Sequence, residues 1–285
     1  MKRVFISGAN GFIGKAIVDE MKSTSSSVIY GIPSSSELDL REFKSVKSYL
    51  REFKPDLVLH CAARLPFGST EEVAFEETCE IDLNVCNSLL ETNKKTKLIY
   101  ASGTSVYLND GEVITENTKL FSENKYIKAK INGERLFQMN LFNASIFRIS
   151  APYGVGQKIE TVLHKFVKKS VKNESIGIFG NGERVQNFTN IDDIVKAFIL
   201  AGEMKVNGVY NICSDRAISM KLLAEKIISL SQSHSQLLFK DKVDSDPTYI
   251  LKLSNKKAKR ELDWNPEVSL DLGLKKIINA YSSIV

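Results

Sequence analysis

Tyr126 and Lys130 are the side chains whose types and spacing bear most directly on chemistry. Four residues apart on a helix, they face the same side. A phenol alone ionises near pH 10 and is a poor acid–base group at neutral pH. An ammonium one helical turn away stabilises its phenolate. Bringing the phenol down to about 7 takes about 4 kcal/mol, which the lysine and the positive ring of an oxidised nicotinamide can together supply. The pattern also arises by chance in helices that merely pack a ring beside a solvated amine, so its meaning depends on its company.

That company is the start of the chain. Lys2 to Ser7 holds Val4-Phe5-Ile6, a short apolar run suited to a buried strand, and leads into Gly8-Ala9-Asn10-Gly11-Phe12-Ile13-Gly14. From Gly14 to Met21 the residues Ile17, Val18 and Met21 mark one face of a helix. In a strand–turn–helix setting, glycines let the backbone approach a pyrophosphate at the helix N-terminus. A dinucleotide cradle and a proton donor in one chain point to hydride chemistry on a bound nicotinamide.

The elements that must position these groups alternate. Strands are expected at Val28-Ile29-Tyr30, Asp56 to Ala63, Lys97 to Ala101 and Ala144 to Arg148. Helices are expected over Phe43 to Phe53, ended by Pro55, over Ile81 to Leu90, and over Tyr126 to Met139. This pattern predicts an α/β fold, a doubly wound parallel sheet of the Rossmann type. Residues 1–150 are expected to form the dinucleotide-binding domain, with 187–203 returning to it. Residues 151–285 are expected to form a smaller C-terminal α/β substrate-binding part, with Ser229 to Ser235 a surface loop.

Composition narrows the class. The 285 residues suffice for a sizeable core, and a net charge of +5 is spread over scattered lysines rather than a basic stripe. Nucleic acid is therefore not an expected partner. Apolar runs such as Leu57-Val58-Leu59 are too short for a bilayer, and no basic-then-apolar leader opens the chain. Cys61, Cys79, Cys86 and Cys213 lack metal-ligand spacing, and only three histidines are present. No metal site is expected; reduced thiols fit a cytoplasmic protein.

Taken in order, the motifs resemble the extended short-chain dehydrogenase/reductase family, of the NAD-dependent epimerase/dehydratase type that modifies nucleotide sugars. Gly8-x-x-Gly11-x-x-Gly14, His60-Cys61-Ala62-Ala63, Tyr126-x-x-x-Lys130 with Glu134, and Arg148 through Tyr153-Gly154 carry the likeness. So do Phe179-Gly180-Asn181-Gly182, Phe188 with Ile191-Asp192-Asp193, and the closing Leu262-Asp263-Trp264-Asn265-Pro266. The resemblance implies that Tyr126 exchanges a proton with substrate and that Lys130 tunes it and holds the nicotinamide ribose. It places Gly8, Asn10, Gly11, Phe12, Ile13, Gly14, Asp39, Leu40, Cys61, Ala62 and Ala63 against the cofactor. A homodimer, joined through the helices at 81–90 and 126–139, is implied in the same way.

The departures are informative. Gly103 stands where the family carries a catalytic Ser or Thr; Ser102 is the favoured replacement, with Thr104 the alternative. Thr104 and Ser105 occupy the places of a dehydratase Asp-Glu pair and cannot act as carboxylate bases. After the second strand come Ser34 and Ser35 instead of an acid, which tilts the expected cofactor to NADP(H) over NAD(H). The link from Tyr30 to Glu37 is too short for a crossover helix, which resembles the ketoreductases. Arg184, Gln186 and Lys242 are the candidates for binding a nucleotide-sugar diphosphate. The expected activity is reduction of an NDP-4-keto-6-deoxyhexose. Alternatives are a 4-epimerase, a reductase of a non-sugar ketone, and a non-catalytic NAD(P)-binding sensor or scaffold.

Overall fold

The computed structural model describes residues 2–24, 27–66, 69–108, 112–141, 143–240 and 252–283. Six parallel strands form the central sheet: β1 (Lys2–Ser7), β2 (Val28–Gly31), β3 (Leu57–His60), β4 (Lys97–Gly103), β5 (Ala144–Ile149) and β6 (Gly208–Ile212), in the order β6-β5-β4-β3-β1-β2. Between β1 and β3 the winding reverses direction, and such a switch point leaves a crevice at the carboxyl ends of the strands. Ser7 and His60 are paired neighbours there, each the last residue of its strand. The doubly wound α/β fold expected from the alternation is the one found.

Alternation along β1 assigns the two faces. Val4 and Ile6 pack with α1 (Phe12–Thr24) and with Ile194 and Phe198 of α6 (Ile191–Glu203). Phe5 points the other way, toward residues of α2 (Phe43–Phe53), α3 (Glu71–Thr92) and α4 (Lys125–Asn140). A separate apolar cluster joins Tyr153 and Phe188 to α5 (Val162–Val171), α7 (Met220–Leu230) and α9 (Leu270–Ser282).

Three expectations need adjustment. The chain's return to the sheet does not stop at residue 203: Gly208–Ile212 adds β6 beside β5. Trp264, just past α8 (Lys256–Leu262), is buried in the sheet's own core and donates from Nε1 to the Asp193 carbonyl at 2.8 Å. The closing motif thus locks onto α6, with Glu267 N–H donating to Asp193 Oδ1 at 2.8 Å. Finally, α3 begins ten residues before Ile81, because Thr70 caps it by accepting the Val73 N–H and Glu71 and Glu72 complement its first turn.

Among the described residues, all four cysteines are free thiols. No group of acidic, histidine or cysteine side chains among them is arranged to hold a metal, and no helix is long and apolar enough to cross a membrane.

Candidate active site

The glycine turn is built for close approach. Gly8 has φ +69°, and a Cβ there would lie 2.8 Å from Ala62 N. A Cβ on Gly14 would run into the Gly8 carbonyl. These glycines therefore let the start of α1 close over the end of β3, where Cys61, Ala62 and Ala63 follow. Cys61 N–H donates to the Ser7 carbonyl at 3.2 Å and Ala62 N–H to Ser7 Oγ at 3.3 Å. The first turn of α1 carries no acid, and its leading N–H groups have no partners within the helix. Such a cradle fits a dinucleotide pyrophosphate. Beside it a cleft of about 440 Å³ is lined by Asn10, Lys15, Asp19, Lys22, Ile32 and Lys158, among others.

The serine turn after β2, where the resemblance would put the adenosine, is ordered by its own contacts. Glu37 accepts from the Ser34 N–H at 2.7 Å and from Ser34 Oγ at 2.8 Å. The serine turn therefore carries a carboxylate, while Ser35 lies in the same turn. Asp39 is held by Arg41, and Asn84 of α3 donates to the carbonyls of Leu40 and Arg41 at 3.0 and 2.7 Å.

Tyr126 and Lys130 both lie on α4, capped by Asn124, whose Oδ1 accepts the Ile127 N–H at 3.0 Å. Tyr126 is half-buried and Lys130 buried. The Lys130 ammonium sits 3.9 Å from the centroid of the Tyr100 ring. Tyr100 Oη donates to Asp82 Oδ2 at 2.6 Å, and Asp82 Oδ1 pairs with His60 Nε2 at 3.0 Å. His60 Nδ1 faces Ser7 Oγ at 2.5 Å. One tautomer satisfies every partner: Ser7 donates to His60 Nδ1, and His60 Nε2–H donates to Asp82. Gly133 makes room for this chain of contacts, since a Cβ there would strike Asp82 Oδ2 and the Tyr100 hydroxyl.

The electrostatics depart from the sequence expectation. Burial and the nearby Asp82 push the Tyr126 phenol up to about 12, not down. Burial lowers the Lys130 pKa, while Asp82, Glu134, Cys61 and Cys79 oppose that shift. The first cause for both groups on α4 is burial; the buried Asp82, a partner that the linear sequence does not reveal, adds to it at Tyr126 and opposes it at Lys130. Burial also pushes the Cys61 thiol up to about 12, so it lines the crevice as a neutral group.

Of the two candidate hydroxyls, Ser102 is turned inward. Its Oγ donates to Glu134 Oε1 at 2.5 Å. Glu134 is gripped by Arg148 through Nε at 3.0 Å and Nη2 at 2.6 Å, with both side chains buried. Thr104 is also buried, at the start of a 3-10 turn over Thr104–Val106.

Arg184 and Gln186 are half-buried at the antiparallel pair Val185–Asn187 with Ala217–Ser219. Lys242 lies outside the described residues. The residues that sequence reasoning missed are Ser7, Asp82 and Tyr100. Asp82 had one signal: an acid between Ile81 and Leu83, in a segment read as one face of a packed helix.

Residues 4–213 match the model of the NAD dependent epimerase/dehydratase family. The chain belongs to that family. Its members are NAD-dependent enzymes, and those similar to this chain include epimerases, dehydratases and reductases. The chain is 28% identical to dTDP-4-dehydro-6-deoxyglucose reductase of Escherichia coli, over 97% of this chain and 96% of the relative. It is also 28% identical to a putative UDP-glucose 4-epimerase of Methanocaldococcus jannaschii, over 97% of each. Its fold matches UDP-glucose 4-epimerase of Thermotoga maritima, with TM-score 0.85, 22% identity and 99% of both chains covered. RMD of Pseudomonas aeruginosa, solved with NADPH, matches with TM-score 0.86, 20% identity and full coverage of both.

Proposed function

We propose that the protein is an NAD(P)H-dependent ketoreductase acting on a nucleotide-bound 4-keto-6-deoxyhexose. The observation that carries this reading is the likeness to a 4-keto-sugar reductase over 97% of this chain and 96% of the relative, together with Tyr126 and the buried Lys130 one turn apart on α4. Ketone reduction begins with a neutral acid ready to protonate the developing alkoxide. Epimerisation would instead begin with the same phenol ionised, to remove a hydroxyl proton. Likeness to a 4-keto-sugar reductase over nearly the whole chain supports the substrate class. A bound reduced nicotinamide supplies the hydride. Tyr126 delivers the proton to the carbonyl oxygen, Lys130 holds the ribose and the charge balance, and Cys61 to Ala63 wall the crevice. Arg184 and Gln186 are assigned to the diphosphate.

NADP(H) remains the favoured cofactor, now for a different reason. Ser34 is occupied by Glu37, which counts against a 2′-phosphate at that turn. Lys22 and Lys158 line the cleft beside Asn10 and Ile32, and Lys15 there is paired with Asp19. Lys158 comes from the loop after Tyr153, brought near α1 where Gly154 packs against Ile191 and Phe12. Lys158→Ala is expected to weaken NADPH about tenfold, or about 1.4 kcal/mol, and NADH little. Calorimetric titration of both cofactors checks this; equal losses for the two would remove Lys158 from 2′-phosphate recognition.

The deciding experiment supplies dTDP-4-dehydro-6-deoxyglucose with NADPH or NADH and follows cofactor oxidation. Stoichiometric oxidation with formation of a 6-deoxyhexose nucleotide is expected. Interconversion of UDP-sugars without added cofactor would instead make the protein an epimerase. Cofactor binding with neither turnover would leave a non-catalytic sensor.

A further inference from the structure

Lys158 reaches the cleft beside the glycine turn from a short connection, Gly154 to Thr161, between the strand Pro152–Tyr153 and α5. A lysine on a loose connection discriminates poorly, because ordering the chain around it offsets what its charge contributes to binding. Whatever fixes this connection therefore bears on the cofactor.

His164, the third residue of α5, holds both of its ends. The imidazole is 2% exposed. Its Nε2 lies 3.2 Å from the Gly154 carbonyl oxygen and its Nδ1 2.9 Å from Thr161 Oγ1. A carbonyl oxygen only accepts, so Nε2 carries the ring proton and Nδ1 accepts from the Thr161 hydroxyl. Thr161 stands at the N-cap of α5, yet its side chain makes no capping bond; the hydroxyl goes to His164 instead. Burial lowers the His164 pKa, with the Gly154 bond and Glu160 opposing, and so favours the neutral ring that this arrangement needs.

The clamp is mounted on fixed ground. Leu163, Phe166 and Val167 of α5 are buried in the cluster shared with α7 and α9, and the Tyr281 ring of α9 lies 6.5 Å from the imidazole. At the other end, a Cβ on Gly154 would meet Ile191 at 2.4 Å and Phe12 at 3.4 Å. Gly154 is thus seated on α6 and on the first residue of α1. His164 ties that seat, next to the glycine turn, to the helix that follows Lys158.

We propose that His164 is a positioning residue for the cofactor: by clamping Gly154 and Thr161 it holds Lys158 at the cleft and so sets the preference for NADPH over NADH. It acts only through the connection it fixes. This role rests on the assignment of Lys158 to the 2′-phosphate made above.

Five proteins are titrated calorimetrically with NADPH and with NADH: the parent, Lys158→Ala, His164→Leu, Thr161→Val, and Thr161→Val with Lys158→Ala. Thr161→Val is the milder break, since it removes one end of the clamp without removing a helix cap. His164→Leu and Thr161→Val are each expected to weaken NADPH about fivefold and NADH little, through lost preorganisation. On the Lys158→Ala background, Thr161→Val is expected to add nothing, the mark of two residues acting through one contact. Hydrogen exchange is expected to quicken over residues 155–160 in Thr161→Val and to stay unchanged in the rest of α5. Additive losses, or equal losses for the two cofactors, overturn the proposal, because a merely structural histidine gives those results. If Lys158→Ala weakens NADPH while Thr161→Val and His164→Leu bind it normally, the clamp alone falls. A Lys158→Ala variant with normal NADPH affinity overturns the 2′-phosphate reading, and His164 as its positioning residue with it.

Discussion

Tyr126→Phe is expected to lower ketone turnover at least ~10²-fold, the low end of general acid–base contributions, and to leave dinucleotide affinity unchanged. The variant removes one oxygen from a half-buried ring that the fold already packs. Steady-state rates and cofactor titration on the same preparation separate the two effects. Near-normal turnover would remove Tyr126 from the mechanism. The pH profile of the parent adds a signed check. Reduction requires a protonated phenol and a cationic Lys130. Lys130 is lowered from the ordinary lysine range by burial, whereas the phenol is raised to about 12. The rate is therefore expected to hold through neutral pH and fall on the alkaline side, with the lysine losing its proton first.

The second large effect is on stability. Glu134→Ala is expected to cost about 3–5 kcal/mol, the usual penalty for leaving one partner of a buried ion pair alone. Burial works against the charge of the Arg148 guanidinium, and Glu134 more than offsets it. Without that carboxylate, Arg148 keeps the Glu116 carbonyl at 3.1 Å and the face of Tyr107, while Ser102 loses its acceptor. Urea denaturation checks the figure. Glu134→Ala combined with Arg148→Met should recover part of the loss, because no charge is then stranded. A double variant less stable than Glu134→Ala would show that the arginine is held by more than its carboxylate partner.

Much of this was legible in the sequence, and the rest was hidden for identifiable reasons. The strands showed because each is a continuous apolar run, and the glycine turn showed because only glycine fits its approach to Ala62. α3 was read ten residues short because its buried side carries Thr78 and Asp82, polar groups that break the apolar period. β6 was missed because five residues, Gly208 to Ile212, gain their identity only by pairing with β5. At the candidate site, the spacing of Tyr126 and Lys130 was enough to place both on one helix. The orientation of Ser102 could not be read there, because it is set by Glu134, thirty-two residues away. The same limit hid Asp82, whose partners His60 and Tyr100 come from two different strands.

The contacts running from Ser7 through His60, Asp82 and Tyr100 to Lys130 draw on five separate elements: β1, β3, α3, β4 and α4. Such an arrangement restricts how the protein can be re-engineered or diverge. Grafting the Tyr126–Lys130 helix onto a sister scaffold would carry the motif but not its alignment, unless the residues matching His60, Asp82 and the space at Gly133 travelled with it. Positions far apart along the chain are thereby bound to change together, and a library varied one site at a time will find this centre resistant while a library varied in concert will not.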